Sequence, residues 1–167
     1  MKKRYIVLIV IALLIAGLFT WRLWPQSLVS ILPDDAYSFT SVSASAMADV
    51  IVSGYPDFRH FRLEDKEQTA ANELLDILKT SDYRPDFRNL LPWGKGSLVS
   101  GNDYDGRSVN ISFYFVDGQT PRYFHVNFMG RSLVSIFSED VWSVYHATNP
   151  ETLSALVEYI QTHGQDG

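Results

Sequence analysis

The side chains best able to move protons or hold a metal in this chain are four histidines, His60, His125, His146 and His163, and their spacing sets how far that chemistry goes. None of them pairs with a second histidine four residues on and a neighbouring glutamate, the arrangement that grips zinc from one helix face. Asn102-Asp103-Tyr104-Asp105-Gly106 resembles the middle of a calcium loop. Aligning Gly106 with the loop glycine, however, puts Gly101 where the first carboxylate belongs and Ser112 where the bidentate glutamate belongs. Without those two ligands Asp105-Gly106 reads as a hairpin turn. Gly94-Lys95-Gly96 begins like a dinucleotide loop, but Val99 replaces the third glycine and no helix follows to cradle a phosphate. Neither a Gly-x-Ser-x-Gly elbow nor a Ser-x-x-Lys occurs. With no cysteine there is also no thiol nucleophile, no disulfide and no lipoprotein acyl site. These spacings predict no catalytic residue, no resident metal and no cofactor.

Binding chemistry is better represented. Alternation along the second half of the chain turns Ser112, Tyr114, Tyr123, His125, Asn127, Ser135 and Tyr145 toward one sheet face. Rings beside hydroxyl, amide and imidazole groups suit a sugar or an extended peptide, so Tyr114, Tyr123, His125, Asn127 and Tyr145 form the first candidate ligand-binding set. The competing reading is an ordinary solvated face, where tyrosine is favoured by its strand propensity. A second candidate set, Arg84, Arg88 and Trp93, lies in a Pro- and Gly-rich connection from Ser81 to Gly96, which also carries Tyr83, Phe87 and Lys95. There the competing reading is that the aromatics pin the loop to the core while the cations balance neighbouring carboxylates.

The elements that must position these residues are legible from periodicity. Val109, Ile111, Phe113 and Phe115 alternate with Asn110, Ser112 and Tyr114; the chain turns at Asp117-Gly118 into Phe124, Val126 and Phe128, alternating with Tyr123, His125 and Asn127. Leu133 to Phe137 and Val141 to His146 extend this hairpin into an antiparallel meander. Upstream, Tyr37 to Ala46, Asp49 to Ser53 and Phe58 to Leu63 read as strands around a Gly54-Tyr55-Pro56-Asp57 turn. Asp65 and Gln68 have capping-box spacing, and Ala70, Ala71, Leu74, Leu75 and Leu78 follow at three- and four-residue steps, predicting a helix over Lys66 to Thr80. Asn149 and Pro150 open a second helix to His163, with Leu153, Leu156, Val157 and Ile160 on one face and Gly164 after it. The predicted fold is α+β: an N-terminal transmembrane helix, then one domain whose antiparallel sheet, of about five strands or more, carries two helices on one face.

Tyr5 to Trp24 has no charge until Arg22, and at ~1.5 Å per residue it reaches ~30 Å, the thickness of a bilayer core. Lys2, Lys3 and Arg4 precede it, so the positive-inside bias keeps the N-terminus cytoplasmic and sends the rest outside. A cleaved signal peptide would have a shorter apolar core and a small-x-small site directly after it; here bulky residues follow. The expected organisation is a cytoplasmic end at 1–4, an uncleaved signal-anchor at 5–24, a tether at 25–36 and an extracytoplasmic domain at 37–167. Four of the fourteen Lys and Arg residues flank the anchor, leaving ten against nineteen Asp and Glu beyond Trp24, a net charge near −9. Nucleic acid, anionic headgroups and phosphate-rich wall polymers are disfavoured by that field at low salt, whereas cationic peptides and divalent ions are compatible with it.

The basic start and anchor, the Leu32-Pro33-Asp34-Asp35-Ala36 entry, the Asp65-x-x-Gln68 helix with Glu73-Leu74-Leu75 and the run Val141-Trp142-Ser143-Val144-Tyr145-His146 together resemble small single-pass, membrane-anchored extracytoplasmic domains of unknown function from Gram-positive bacteria. The resemblance implies a bacterial cell-surface setting and an α+β domain, and it transfers no functional residue. The expected function is a non-enzymatic binding or sensing module, its partners being the lipid bilayer through Tyr5–Trp24 and a cell-wall glycan, a peptide or a membrane protein. The rival classes are a wall-directed hydrolase or transferase whose site is assembled from distant residues, and a structural subunit of a membrane complex.

Overall fold

The computed structural model describes residues 2–32, 39–52, 55–65, 68–90, 106–117, 119–138 and 141–167. Nine strands, β1 (Gln26–Ser27), β2 (Phe39–Val52), β3 (Tyr55–Asp65), β4 (Asp82–Pro85), β5 (Ser108–Asp117), β6 (Thr120–Met129), β7 (Leu133–Ser138), β8 (Val141–Ala147) and β9 (Gln165–Asp166), form one sheet. Its order is β1-β4-β8-β7-β6-β5-β2-β3-β9, and every pairing is antiparallel. Among the described residues four helices accompany it: α1 (Lys2–Arg22), the single turn α2 (Leu28–Ile31), α3 (Gln68–Leu78) and α4 (Glu151–His163). Within α1, Tyr5–Arg22 is long and apolar enough to cross a membrane, and none of that window is buried in the protein.

Helices α3 and α4 lie side by side over one sheet face, chiefly on β2 and β3. The residues of β2 beneath them, Ala44, Ala46 and Ala48, are small, which lets the helix axes come close to the sheet. Where the sheet continues into β5, β6 and β7 the same face fills with larger groups. Val109, Ile111, Phe113, Phe124, Val126, Phe128 and Val134 are all fully buried, and Leu74, Leu78, Leu153 and Leu156 meet them in one core cluster. Each such side chain contributes about 1.5–3 kcal/mol on removal from water. Phe113 ties neighbouring strands together, its ring centroid 5.0 Å from that of Phe39 and 6.1 Å from that of Phe124. The alternation read from the sequence therefore has the register and the covered face that it predicts.

Several elements differ in extent. The two strands expected around Asp49 are one continuous β2, and Pro56, expected in a turn, pairs with Ile51 inside β3; residues 53 and 54 of that turn lie outside the described residues. Helix α3 begins at Gln68, and Asp65 caps it by accepting the Ala70 amide at 3.0 Å. Asn149 caps α4 through Oδ1, which accepts the Glu151 amide at 3.1 Å. After α4 a Cβ at Gly164 would strike the backbone carbonyls of Ile160 and Arg62, so only glycine lets the chain press back onto β3 as β9. The β6–β7 turn needs Gly130 at φ 79°. The segment expected as a tether is partly tied down: Gln26 and Ser27 pair with Tyr83 and Asp82, and Leu28 is buried. The connection from Ser81 onward, expected to hold no element, contains β4 and a 3₁₀ turn at Phe87–Leu90.

Candidate functional site

The face opposite α3 and α4 carries its chemistry in rows, because residues paired across antiparallel strands share a face. One row is Ser41, Tyr114 and Tyr123; the next is Ser43, Ser112, His125, Phe137 and Trp142; a third is Ser45, Asn110, Asn127, Ser135 and Val144. Tyr123 stacks on Phe137 with centroids 5.3 Å apart, Phe137 touches Trp142 at 5.0 Å, and the His125 ring meets Trp142 edge-on at 5.6 Å. Tyr114 and Tyr123 are 42% and 50% exposed, and Val116 continues the apolar surface toward the β5–β6 hairpin. The open Tyr123 ring thus rests on a packed aromatic base, which holds it in place without ordering by a ligand.

Polar groups border the rings. Ser112 Oγ and His125 Nδ1 are 2.9 Å apart, and burial lowers the His125 pKa, keeping the imidazole neutral. Asn127 Oδ1 is buried with no donor among the described residues, in a row where Ser135 and Val144 are also buried. The Ser112–His125 pair lacks the rest of an acyl-transfer site. Ser112 lies inside β5 between β2 and β6, so its strand amides serve the ladders instead of forming an oxyanion hole.

The second cluster sits where β4 runs into the 3₁₀ turn. Asp86, only 6% exposed, receives the Arg88 guanidinium in a fork, Nε on Oδ1 and a terminal nitrogen on Oδ2, both at 2.9 Å, with the Arg88 amide on Oδ1 at 2.8 Å. His146 Nε2 completes the set at 2.9 Å from Oδ2. Burial pushes the Asp86 carboxyl up, but the Arg88 and His146 hydrogen bonds and the Arg88 charge outweigh it and hold the pKa well below the usual carboxylate range. The same partnership raises the Arg88 pKa, against burial. Asn89 fixes the turn by bonding both backbone groups of Val144, its Nδ2 donating to the carbonyl at 2.6 Å and its Oδ1 accepting the amide at 2.8 Å.

Beside this cluster is a cleft of about 580 Å³ between the sheet and the end of α1. Thr20, Leu23, Trp24 and Pro25 form one wall, and Arg84, Phe87 and His146 face them. Arg84 pairs with His146 in the register and so belongs to the open face.

The sequence-predicted residues are therefore divided. Tyr114, Tyr123, His125 and Asn127 share the open face as expected. Tyr145 does not: it pairs with Val134 on the covered face, is 9% exposed, and its pKa is raised by burial despite a hydrogen bond from Ser143. Val-Trp-Ser-Val-Tyr-His has no apolar-polar alternation to fix its parity, and parity sends Trp142 outward instead. Arg84 and Arg88 sit at one corner, but Arg88 is consumed by Asp86; Trp93 lies outside the described residues, as do Lys95 and Asp103-Tyr104-Asp105. Phe137, Trp142 and Asp86 were missed, the first two because their strands read as continuous apolar runs. Among the described residues no three His, Asp or Glu side chains converge as a metal site. No protein-family model, no curated protein and no solved structure matches the chain.

Proposed function

We propose that this chain is a single-pass protein of the bacterial cell surface, its N-terminus cytoplasmic and its domain outside, and that the open sheet face is a non-enzymatic binding surface for a cell-wall glycan. The observation carrying this reading is the exposed, cross-strand Tyr114–Tyr123 pair, with Tyr123 stacked on Phe137 and Phe137 on Trp142, bordered by Ser112, His125 and Asn127. Flat rings take the apolar face of a pyranose, and the adjoining hydroxyl, imidazole and amide groups suit its hydroxyls. An extended peptide gains much of its affinity by adding a strand to a free edge, and β5 and β6 are interior strands with both ladders filled. Besides the Ser112–His125 pair, the Asp86–His146 pair is a feature among the described residues that would favour a hydrolase. Its carboxylate is clamped by Arg88, and no nucleophilic hydroxyl or thiol bonds His146 among the described residues.

Full-length protein in detergent, passed over isolated cell walls, is expected to be retained and to be released by soluble glycan fragments but not by free stem peptides. Replacing Tyr114 and Tyr123 together by alanine should weaken retention by about tenfold or more, from the loss of two stacking rings. Unchanged retention with the fold intact would refute the reading, and release by peptide alone would reassign the ligand.

A further inference from the structure

The cleft beside Asp86 combines three properties that the glycan reading does not use. Its position comes first: one wall runs from Thr20, in the last turn of α1, to Pro25, three residues past the end of that helix. If Tyr5–Trp24 spans the bilayer, as proposed above, the cleft opens where headgroups lie, the depth at which Trp24, 66% exposed, keeps its ring in lipid and its N–H in water. Its charge comes second. Among the described residues, the exposed Arg84 has no carboxylate partner and the one acid lining the cleft, Asp86, is already neutralised by the Arg88 fork and His146. The negative end of the α1 dipole is offset by Arg22 in its last turn. The third property is an apolar rim, in which Leu23, Trp24 and Pro25 stand opposite Phe87, a ring 62% exposed with no core to enter.

We infer that this cleft holds the phosphate of an anionic phospholipid from the leaflet beneath the domain, with Arg84 donating to the phosphate oxygens and Trp24 and Phe87 flanking the glycerol and first methylenes. A guanidinium is suited to this because it offers several donors to phosphate in a fixed plane and is less strongly hydrated than an ammonium. The domain's overall acidity does not oppose it: charges farther away than the screening length, about 8–10 Å in physiological salt, act weakly on a site whose nearest acid is paired. The net-charge argument that disfavours anionic headgroups thus fails at this corner. A soluble phosphate would find the same guanidinium, but Thr20, Leu23 and Trp24 of the anchor contribute to the lining and the rim is apolar, which fits the glycerol and acyl portions of a lipid.

The test reconstitutes the full chain in nanodiscs of phosphatidylcholine with a minor share of phosphatidylglycerol, then extracts it and measures the lipids that stay bound. Phosphatidylglycerol is expected to be enriched about tenfold over its bulk share in the wild type and in Lys79→Gln, which removes the same charge at a residue that does not line the cleft. Enrichment should vanish in Arg84→Gln and return in part in Arg84→Lys. Equal enrichment in Arg84→Gln, or none in the wild type, overturns the proposal. In discs of phosphatidylcholine alone, a shift of the His146 ring resonance on adding inorganic phosphate would assign the site to soluble phosphate and overturn the lipid assignment; no shift supports it. Release of the chain from vesicles by alkaline carbonate would instead show that the membrane reading fails, an outcome distinct from a chain that stays inserted but retains no anionic lipid.

Discussion

Asp86 is a buried carboxylate that stays ionised because it meets four donors, two guanidinium nitrogens, a backbone amide and an imidazole. Its folded pKa lies below the unfolded value of about 3.9, so the stability it contributes is full above about pH 4 and is lost as the pH falls through the folded value. Asp86→Asn should therefore lower stability at pH 7 by about 2–4 kcal/mol, since the partly buried Arg88 would lose its carboxylate fork, and the gap from wild type should narrow on acidification. Urea unfolding at a series of pH values checks this; a gap that does not change with pH would contradict the assigned network. None of this was visible in the sequence beyond the presence of Arg84 and Arg88, because the partner His146 lies sixty residues away. Tyr114, Tyr123, His125 and Asn127 were legible for the opposite reason: local alternation with Phe113, Phe124, Val126 and Phe128 fixes which way they point.

At the level of elements, Tyr83 links the two layers. It is fully buried in β4, and its hydroxyl donates to the Leu78 carbonyl at the end of α3 at 2.8 Å, while burial raises its pKa. Tyr83→Phe should cost about 1 kcal/mol through one lost hydrogen bond, since the Leu78 carbonyl keeps the Ser81 amide at 3.4 Å, and Leu74→Ala in α3 about 2–5 kcal/mol through a cavity. Chemical denaturation of both variants measures the order; a Tyr83→Phe loss as large as that of Leu74→Ala would mean that the hydrogen bond is not the main role of the ring. The helices were readable because their apolar stripes recur at helical steps. The strand β4 was not, because Pro85 and the following prolines and glycines suggest a connection, and its four residues become a strand only through the long-range partners Gln26 and Ala147. Likewise β2 was read as two pieces because Asp49 interrupts its apolar positions, whereas β3 pairs with it along its length from Val42 to Val52.

For the whole molecule, the layout follows from a division of labour between two faces. One is closed by α3 and α4 over an aromatic and aliphatic core; the other keeps tyrosines open beside serines, an imidazole and asparagines, and it includes the corner where α1 joins the sheet. The central claim is that this second face lies outside the membrane and takes up a wall glycan. Because the chain has no cysteine, a single introduced thiol can be followed alone. Tyr123→Cys, Glu158→Cys and Lys2→Cys, each in intact protoplasts, would be treated with a membrane-impermeant maleimide, with and without soluble wall glycan. The account predicts that Tyr123→Cys and Glu158→Cys both react, that glycan slows only Tyr123→Cys, by about fivefold or more at saturation, and that Lys2→Cys reacts only after permeabilisation. Labelling of Lys2→Cys from outside, or a Tyr123→Cys rate that glycan leaves unchanged, would contradict it.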